Sequence, residues 1–174
     1  PAVFSVDMAG GAPTKLHSGA PLQAPFNLVT SFDGNTLFLS DVSGETDATE
    51  DDDAILMRGR IFSMPSAGGT PTSLSASENA SPRSIALVQE NGADVLYFTG
   101  LDASGAPAVF RMGADGASKT TVFAGAPLSD PSGVAVASNG TIYVADSEAL
   151  PSRSGGVVRI ENGNATVIVS DLSL

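Results

Sequence analysis

Several residue types are absent or scarce in this chain of 174 residues, and each shortage excludes a class of protein. Cysteine is absent, which excludes disulfides, thiolate metal sites and cysteine nucleophiles. Tryptophan is absent and aromatic residues make up only 6%, which argues against a lectin that stacks sugars on aromatic rings. Eight lysines and arginines stand against nineteen aspartates and glutamates, a net charge of −11, so binding to nucleic-acid phosphates is unfavourable.

Long apolar stretches are also missing. The longest, such as VLYF and TVIV, are far too short to span a bilayer. No sustained apolar period of 3.6 with capping residues predicts a helix. Glycine, with 19 residues, and proline, with 11, are instead abundant between short β-favouring runs. This composition is typical of many short strands joined by tight turns.

One short phrase occurs four times along the chain. Its β-favouring core begins, at steps of 58, 48 and 48 residues, at Val3, Ile61, Val109 and Val157. Each copy runs into a turn sequence such as Asp115-Gly116 and then into a second extended run. Glycine supplies the positive φ that a tight turn needs, so the phrase predicts a β-hairpin. We name it the C–D hairpin.

A second phrase alternates with the first and occupies 25–41, 82–100 and 131–146. Each copy begins with proline and carries an Asp-Gly or Asn-Gly pair between two apolar runs. This is the strongest short hairpin signal, and we name it the A–B hairpin.

One A–B hairpin and one C–D hairpin together make a four-stranded antiparallel sheet of about 45–50 residues, the period of a β-propeller blade. We therefore predict an all-β fold, a β-propeller of which this chain covers about 3.5 blades; a β-sandwich with evenly spaced strands is the alternative. The predicted parts of this one domain are a C–D half blade and three blades, at 1–24, 25–81, 82–130 and 131–174.

The stretch DPSGVAVASNGTIYVADS followed by GGVVRI resembles an NHL-type repeat. It also resembles the wider group of six-bladed propellers, which includes gluconolactonase-like, virginiamycin-B-lyase-like and YWTD-like proteins. The resemblance is best over 131–170 and implies a six-bladed disc whose central channel is lined by the A strands. It implies a turn-capping aspartate after strand B, which Asp41 and Asp146 match and Gly100 does not.

A propeller ring closes with about four to eight blades. An arc of 3.5 blades would leave apolar faces exposed at both ends. We therefore expect the remaining blades to lie N-terminal to Pro1, in the same protein or in a separate chain. About 120 residues would complete a ring of six, at roughly 45–50 residues per blade.

The segment 41–53 is the most unusual in composition, with seven carboxylates in thirteen positions. Carboxylate oxygens in a loop are the ligands that Ca²⁺ prefers, although the spacing is not that of an EF-hand. We predict candidate Ca²⁺ ligands at Asp47, Glu50, Asp51 and Asp53. The alternative is a solvated acidic loop that keeps the protein soluble.

Other chemistry has weaker support in the sequence. His17, the one histidine, falls in a connection between repeats, and no GxSxG elbow accompanies it. By the gluconolactonase resemblance alone, channel-mouth ligands for Ca²⁺ would come from Asp102, Asp130, Asp146 and Glu148. Arg111 and Arg159 occupy one position of strand C, which predicts an exposed ladder or a salt bridge.

These observations favour an extracytoplasmic, secreted or periplasmic, binding or scaffold module without catalytic activity. A calcium-dependent lactonase, hydrolase or lyase is the first alternative, and a structural subunit of a larger assembly is the second. We expect a small ligand or protein partner, and neither nucleic acid nor a membrane span.

Overall fold

A computed structural model of the chain describes residues 1–43 and 59–172. Within these two ranges the chain forms fourteen β-strands and a single turn of 3-10 helix at Ser75–Ser77. No helix in the described part of the chain has the length and apolar character to cross a bilayer.

The strands form one two-stranded and three four-stranded antiparallel sheets. The two-stranded sheet comprises β1 (Ala2–Ser5) and β2 (Thr14–Ser18). The next sheet comprises β3 (Pro25–Thr30), β4 (Thr36–Asp41), β5 (Arg60–Pro65) and β6 (Thr72–Leu74). The third comprises β7 (Ile85–Glu90), β8 (Ala93–Leu101), β9 (Pro107–Gly113) and β10 (Lys119–Ala124). The last comprises β11 (Pro131–Val136), β12 (Ile142–Ala149), β13 (Ser154–Glu161) and β14 (Asn164–Leu172).

In every four-stranded sheet the strands lie side by side in chain order. The predicted strand order A–B–C–D is therefore confirmed, and the two-stranded sheet has the C–D pairing. Tight turns produce this order. In the Asn91-Gly92 turn the φ values are 51° and 82°, and in the Asn162-Gly163 turn they are 50° and 75°. Two successive left-handed residues are the geometry that a two-residue hairpin loop requires. That the whole chain forms one domain, divided at the predicted boundaries, stays a prediction.

Consecutive sheets pack face to face, with one apolar cluster at each of the three junctions. Strand C shows how one strand serves two junctions. On β9, Phe110 and Met112 pack toward the sheet before, whereas Val109 packs toward the sheet after. At the first of these junctions the rings of Phe98 and Phe110 lie 5.1 Å apart between centroids. Alternating side chains of a strand point to opposite faces, so the repeated phrase buries both faces of its sheet.

Side-chain hydrogen bonds link the A strands of neighbouring sheets. Asn27 Oδ1 accepts the backbone N–H of Ile85 at 3.0 Å, and Ser84 Oγ accepts that of Val134 at 3.2 Å. Strand β11 also contacts both β7 and β8, and β3 contacts β7. The A strands thus converge at one edge of the stack, as predicted for innermost strands.

The prediction that His17 lies in a connection is wrong. His17 pairs with Val3 near the end of β2, and its Nε2 lies 3.2 Å from the carbonyl oxygen of Gly19 and 3.1 Å from that of Ala20. The strand continues two residues beyond the predicted run 14–16, because pairing with β1 extends to Ser18.

Candidate functional site: a cleft at the corners of the sheets

Each four-stranded sheet has a corner where strand B ends and the connection into strand A passes over it. In the first, the carboxylate of Asp41 is fully buried. It accepts backbone N–H groups from Gln23 at 2.8 Å, from Ala24 at 3.0 Å and from Ser43 at 3.0 Å. A buried carboxylate with this many donors is a structural cap that fixes the connection to the strand end.

The last sheet repeats this corner atom by atom. Asp146, 2% exposed, accepts the backbone N–H groups of Ser129 at 2.9 Å, Asp130 at 3.0 Å and Glu148 at 2.9 Å. The capping role that the family resemblance implied for Asp41 and Asp146 therefore agrees with the geometry. Both carboxylates accept hydrogen bonds from backbone groups of their own corners.

The middle corner is built differently, at Gly100. A Cβ atom added there would lie 2.1 Å from the carbonyl oxygen of Ala80, so no side chain fits. The same carbonyl accepts the backbone N–H of Leu101 at 2.8 Å. Asn79 and Ser81, on either side of Ala80, have positive φ values of 57° and 43°. The other two corners have the corresponding backbone bond, from Val42 N–H to Ala24 and from Ser147 N–H to Asp130, both at 3.2 Å. The middle corner therefore keeps the backbone link and differs by having no carboxylate.

A cleft of about 180 Å³ lies at this middle corner and reaches the two corners beside it. Its lining residues come from all three four-stranded sheets and the connections between them: Val42, Ser81, Arg83, Gly100, Leu101, Ser129, Asp130 and Pro131.

The charged groups of the cleft are Arg83 and Asp130. The guanidinium of Arg83 forms an ion pair with the carboxylate of Asp130, which also accepts the hydroxyl of Ser147. The backbone of Arg83 is held as well, because its N–H donates to Thr99 at 3.0 Å and its carbonyl accepts the hydroxyl of Ser40. The side chains of Arg83 and Asp130 are each 41% exposed. A guanidinium has five N–H donors, so one bound carboxylate leaves donors available to a ligand.

The candidate ligands that the resemblance suggested do not form a metal centre together. Asp146 caps its corner, and Asp130 is paired with Arg83. Asp102 holds its own turn, accepting the Ser104 backbone N–H at 2.8 Å. Hydrogen bonds from the Ser104 hydroxyl and from the N–H groups of Ala106 and Ser104 lower the pKa of Asp102. Within residues 1–43 and 59–172, no three acidic or histidine side chains are close enough to hold a metal ion. The predicted calcium ligands Asp47, Glu50, Asp51 and Asp53 lie outside the described residues.

The salt bridge predicted for Arg111 is present. Its Nε lies 3.2 Å from Glu90 Oε2, and Tyr97 donates its hydroxyl to Glu90 Oε1 at 2.9 Å. The hydrogen bond from Arg111 holds the pKa of Glu90 below its usual range, against the opposing effect of burial. This group joins strands A, B and C of the middle sheet (β7, β8 and β9) and contributes no residue to the lining of the cleft, so we assign it to the scaffold.

Comparison with known proteins agrees with this geometry. The family description "NHL repeat" matches residues 128–149, which include the Asp146 corner. A chain of a nidogen–laminin complex matches with a TM-score of 0.71 and 19% identity over 98% of this chain. The chain has a β-propeller fold. Its sheets are blades, and it covers three complete blades and the C–D half of a fourth.

Two bacterial structures give the same result for the propeller. A putative TolB from Agrobacterium tumefaciens matches with a TM-score of 0.67 and 19% identity over 97% of this chain. A gluconolactonase from Xanthomonas campestris matches with a TM-score of 0.64 and 17% identity, also over 97%. The propeller arc spans 57%, 55% and 55% of the three matched chains, a little over half of their length. No curated protein matches it in sequence.

Arg83 is the site residue that the sequence did not indicate. It follows Pro82 at the start of an A–B phrase, where the other copies have Phe26 and Ser132. A lone arginine in one copy of a repeat was the available signal. Its partner Asp130 lies 47 positions further on and belongs to the next corner, so the pairing depends on how the blades stack.

Proposed function

We propose that this propeller is a non-catalytic binding module that holds the carboxylate of a small ligand in the cleft beside Arg83. The observation that carries the proposal is the half-exposed guanidinium, fixed at its backbone by two hydrogen bonds and oriented by Asp130, in a cleft shared by three blades. A preorganised guanidinium recognises carboxylates through paired hydrogen bonds. The buried aspartates of the neighbouring corners are saturated by backbone donors, which supports a structural role for them.

The test uses three small carboxylates, gluconate, succinate and citrate, added to the protein that contains this chain. We expect at least one to bind by isothermal titration calorimetry. Arg83→Ala should weaken that binding about 10-fold or more, because hydrogen bonds to charged groups contribute roughly 1.5–3 kcal/mol. Arg153→Ala, which removes an exposed arginine of a loop in the last blade, is the matched control and should bind as the wild type does. Binding that survives Arg83→Ala, or no binding of any of the three, would contradict the proposal.

A calcium-dependent lactonase is the second candidate, supported by the likeness to the gluconolactonase fold and by the carboxylates of segment 41–53. Hydrolysis of glucono-δ-lactone that stops on adding a chelator and returns with Ca²⁺ would favour it. Replacing Asp47, Glu50, Asp51 and Asp53 together by Asn or Gln should then abolish the metal dependence. Activity without a metal requirement would contradict this candidate.

A location outside the cytoplasm is also part of the proposal. It is supported by the composition, which is acidic, with few basic residues and many small polar ones. Fractionation of cells that produce the protein from its own gene would test it, and recovery with a cytosolic marker enzyme would contradict it.

A further inference from the structure

A pocket of about 310 Å³ lies between the first and middle blades, and it adjoins the cleft beside Arg83 at Leu101, which lines both. Glu78, in the connection after β6, lines it from the first blade. The middle blade supplies Asp102, Phe110 and Lys119. The pocket therefore combines two carboxylates, an aromatic ring and an amine.

Lys119 is unusual for its place in the repeat. It is the first residue of β10 and pairs with Met112 of β9. In the same register the other copies have Pro13, Pro71 and Ala165. The C–D hairpin therefore forms without a lysine at this position, and the fold does not require one there.

The surroundings of Lys119 favour its neutral, nucleophilic form. Its ammonium lies 5.4 Å from the ring centroid of the buried Phe110. None of the ion pairs among residues 1–43 and 59–172 includes Lys119. Burial lowers the pKa of the Lys119 ammonium. The contact with the ring is near the outer limit of about 6 Å for a cation–π interaction, so it opposes this shift only weakly. More of the amine is therefore neutral at pH 7 than in an exposed lysine, and the neutral amine is the nucleophile.

The two carboxylates of the pocket are held by partners other than Lys119. Glu78 Oε1 accepts Nη1 of Arg60 at 3.3 Å. Every hydrogen bond that Asp102 accepts within the described ranges ends on Oδ1, and the donors are groups of Ser104 and Ala106. An ionised carboxylate has about four acceptor sites, so both can also accept hydroxyl groups of a ligand.

We propose that this pocket binds a small polyhydroxylated aldehyde, such as an open-chain sugar, and that Lys119 forms an imine with it. The nitrogen lone pair attacks the carbonyl carbon, and a proton passes through solvent from nitrogen to the carbonyl oxygen to give a carbinolamine. The hydroxyl then leaves as water with the second nitrogen proton while the C=N bond forms, so the step needs no oxidant or reductant. Hydroxyl groups of the ligand donate to Glu78 and Asp102, which would repel a ligand of negative charge.

The test uses glyceraldehyde, a short aldehyde sugar, with sodium cyanoborohydride, which reduces the imine to a stable amine. The full-length protein is labelled at pH 7, and peptide mass spectrometry compares Lys119 with Lys15, the exposed lysine of β2. We expect Lys119 to react about fivefold or more faster than Lys15 in the native state, because it is more often neutral and its pocket holds the aldehyde. Its rate should also saturate as the glyceraldehyde concentration rises, whereas the Lys15 rate should rise in proportion. In denaturant the two lysines should react equally.

Two substitutions on β10 test the part that the pocket plays. Thr121→Phe narrows the pocket and should slow the labelling of Lys119 about threefold or more, because a misplaced aldehyde reacts more slowly. Thr120→Phe is the matched control and should label as the wild type does, because neighbouring side chains of a strand point to opposite faces.

A Lys119 rate no higher than that of Lys15 would overturn the proposal, and so would a rate that does not saturate. Equal Lys119 rates in the two variants would also overturn it, because the pocket would then take no part in the reaction. The comparison of the two lysines needs no substitution. Neither measurement involves Arg83, so this proposal and the carboxylate-binding proposal can fail separately.

Discussion

The three corners of the arc solve one structural problem in two ways. At Asp41 and Asp146, a buried carboxylate gathers the backbone N–H groups of the connection above it. At Gly100 there is no carboxylate, and the Ala80 carbonyl of the connection lies where a side chain would be and accepts the N–H of Leu101. At the carboxylate corners, the backbone N–H groups of the connection are hydrogen-bonded to the carboxylate. The glycine corner opens a cleft beside it, and there Arg83 reaches across to Asp130.

The comparison teaches that a propeller can lose its usual cap in one blade without losing the corner. The backbone link from Leu101 N–H to the Ala80 carbonyl remains, and that carbonyl fills the space that a side chain at Gly100 would take.

The largest effect should come from converting the glycine corner into a carboxylate corner. Gly100→Asp would place a Cβ atom against the Ala80 carbonyl at 2.1 Å, so the connection or the strand must move. We expect a loss of about 3 kcal/mol in the free energy of unfolding, measured by urea denaturation.

The control is Ala103→Asp, an exposed position three residues along the chain, which should stay within about 0.5 kcal/mol of the wild type. If Gly100→Asp is as stable as the wild type, then the connection at Ala80 can move away from the strand without cost, and the two corner designs are interchangeable.

Removing a carboxylate cap should have the next largest effect. Asp146→Ala leaves the N–H groups of Ser129, Asp130 and Glu148 without their acceptor. We expect about 2 kcal/mol of destabilisation, and a similar loss for Asp41→Ala, by the same denaturation measurement.

The exposed Glu148→Ala serves as the control for Asp146→Ala. Two unequal losses, with Asp41→Ala near zero, would show that the matching hydrogen bonds of the two corners do not carry matching energies.

The smallest effect concerns the Glu90–Arg111 pair, which joins β7 to β9. The pKa of Glu90 is lowered mainly by the hydrogen bond from Arg111, so the ionised carboxylate is favoured in the folded state. Its contribution is fully present above the unfolded pKa, near 4.5, and is lost as the pH falls through the lower folded pKa. Because Arg111 is 39% exposed, solvent screening limits the pair to about 0.5 kcal/mol.

Glu90→Gln should therefore be slightly less stable than the wild type at pH 7, and the difference should shrink at pH 3. The exposed Glu161→Gln is the matched control, with little difference from the wild type at neutral pH. A constant difference between pH 7 and pH 3 would show that Glu90 acts by packing and not by charge.

Much of the propeller could be predicted from the sequence because it repeats. Asn-Gly, Asp-Gly and Gly-Gly pairs mark the hairpin turns, and the alternation in strand C marks both faces of a blade. The cleft could not be predicted, because it depends on contacts between blades. Nothing in the local sequence indicates that the Ala80 carbonyl fills the space beside Gly100, or that Arg83 meets Asp130. The acidic candidates at 47–53 stay a prediction.

The side-chain links between the A strands also protect the arc from misassembly. An inner strand is the edge of its sheet, and an edge with free amides can pair with a strand of another molecule. The amides of Ile85 and Val134 are already bound to Asn27 and Ser84, so a foreign strand would have to displace a side chain before it could begin to pair. At these two positions the inner edge of the arc is therefore closed to strand pairing by the same hydrogen bonds that link its neighbouring A strands.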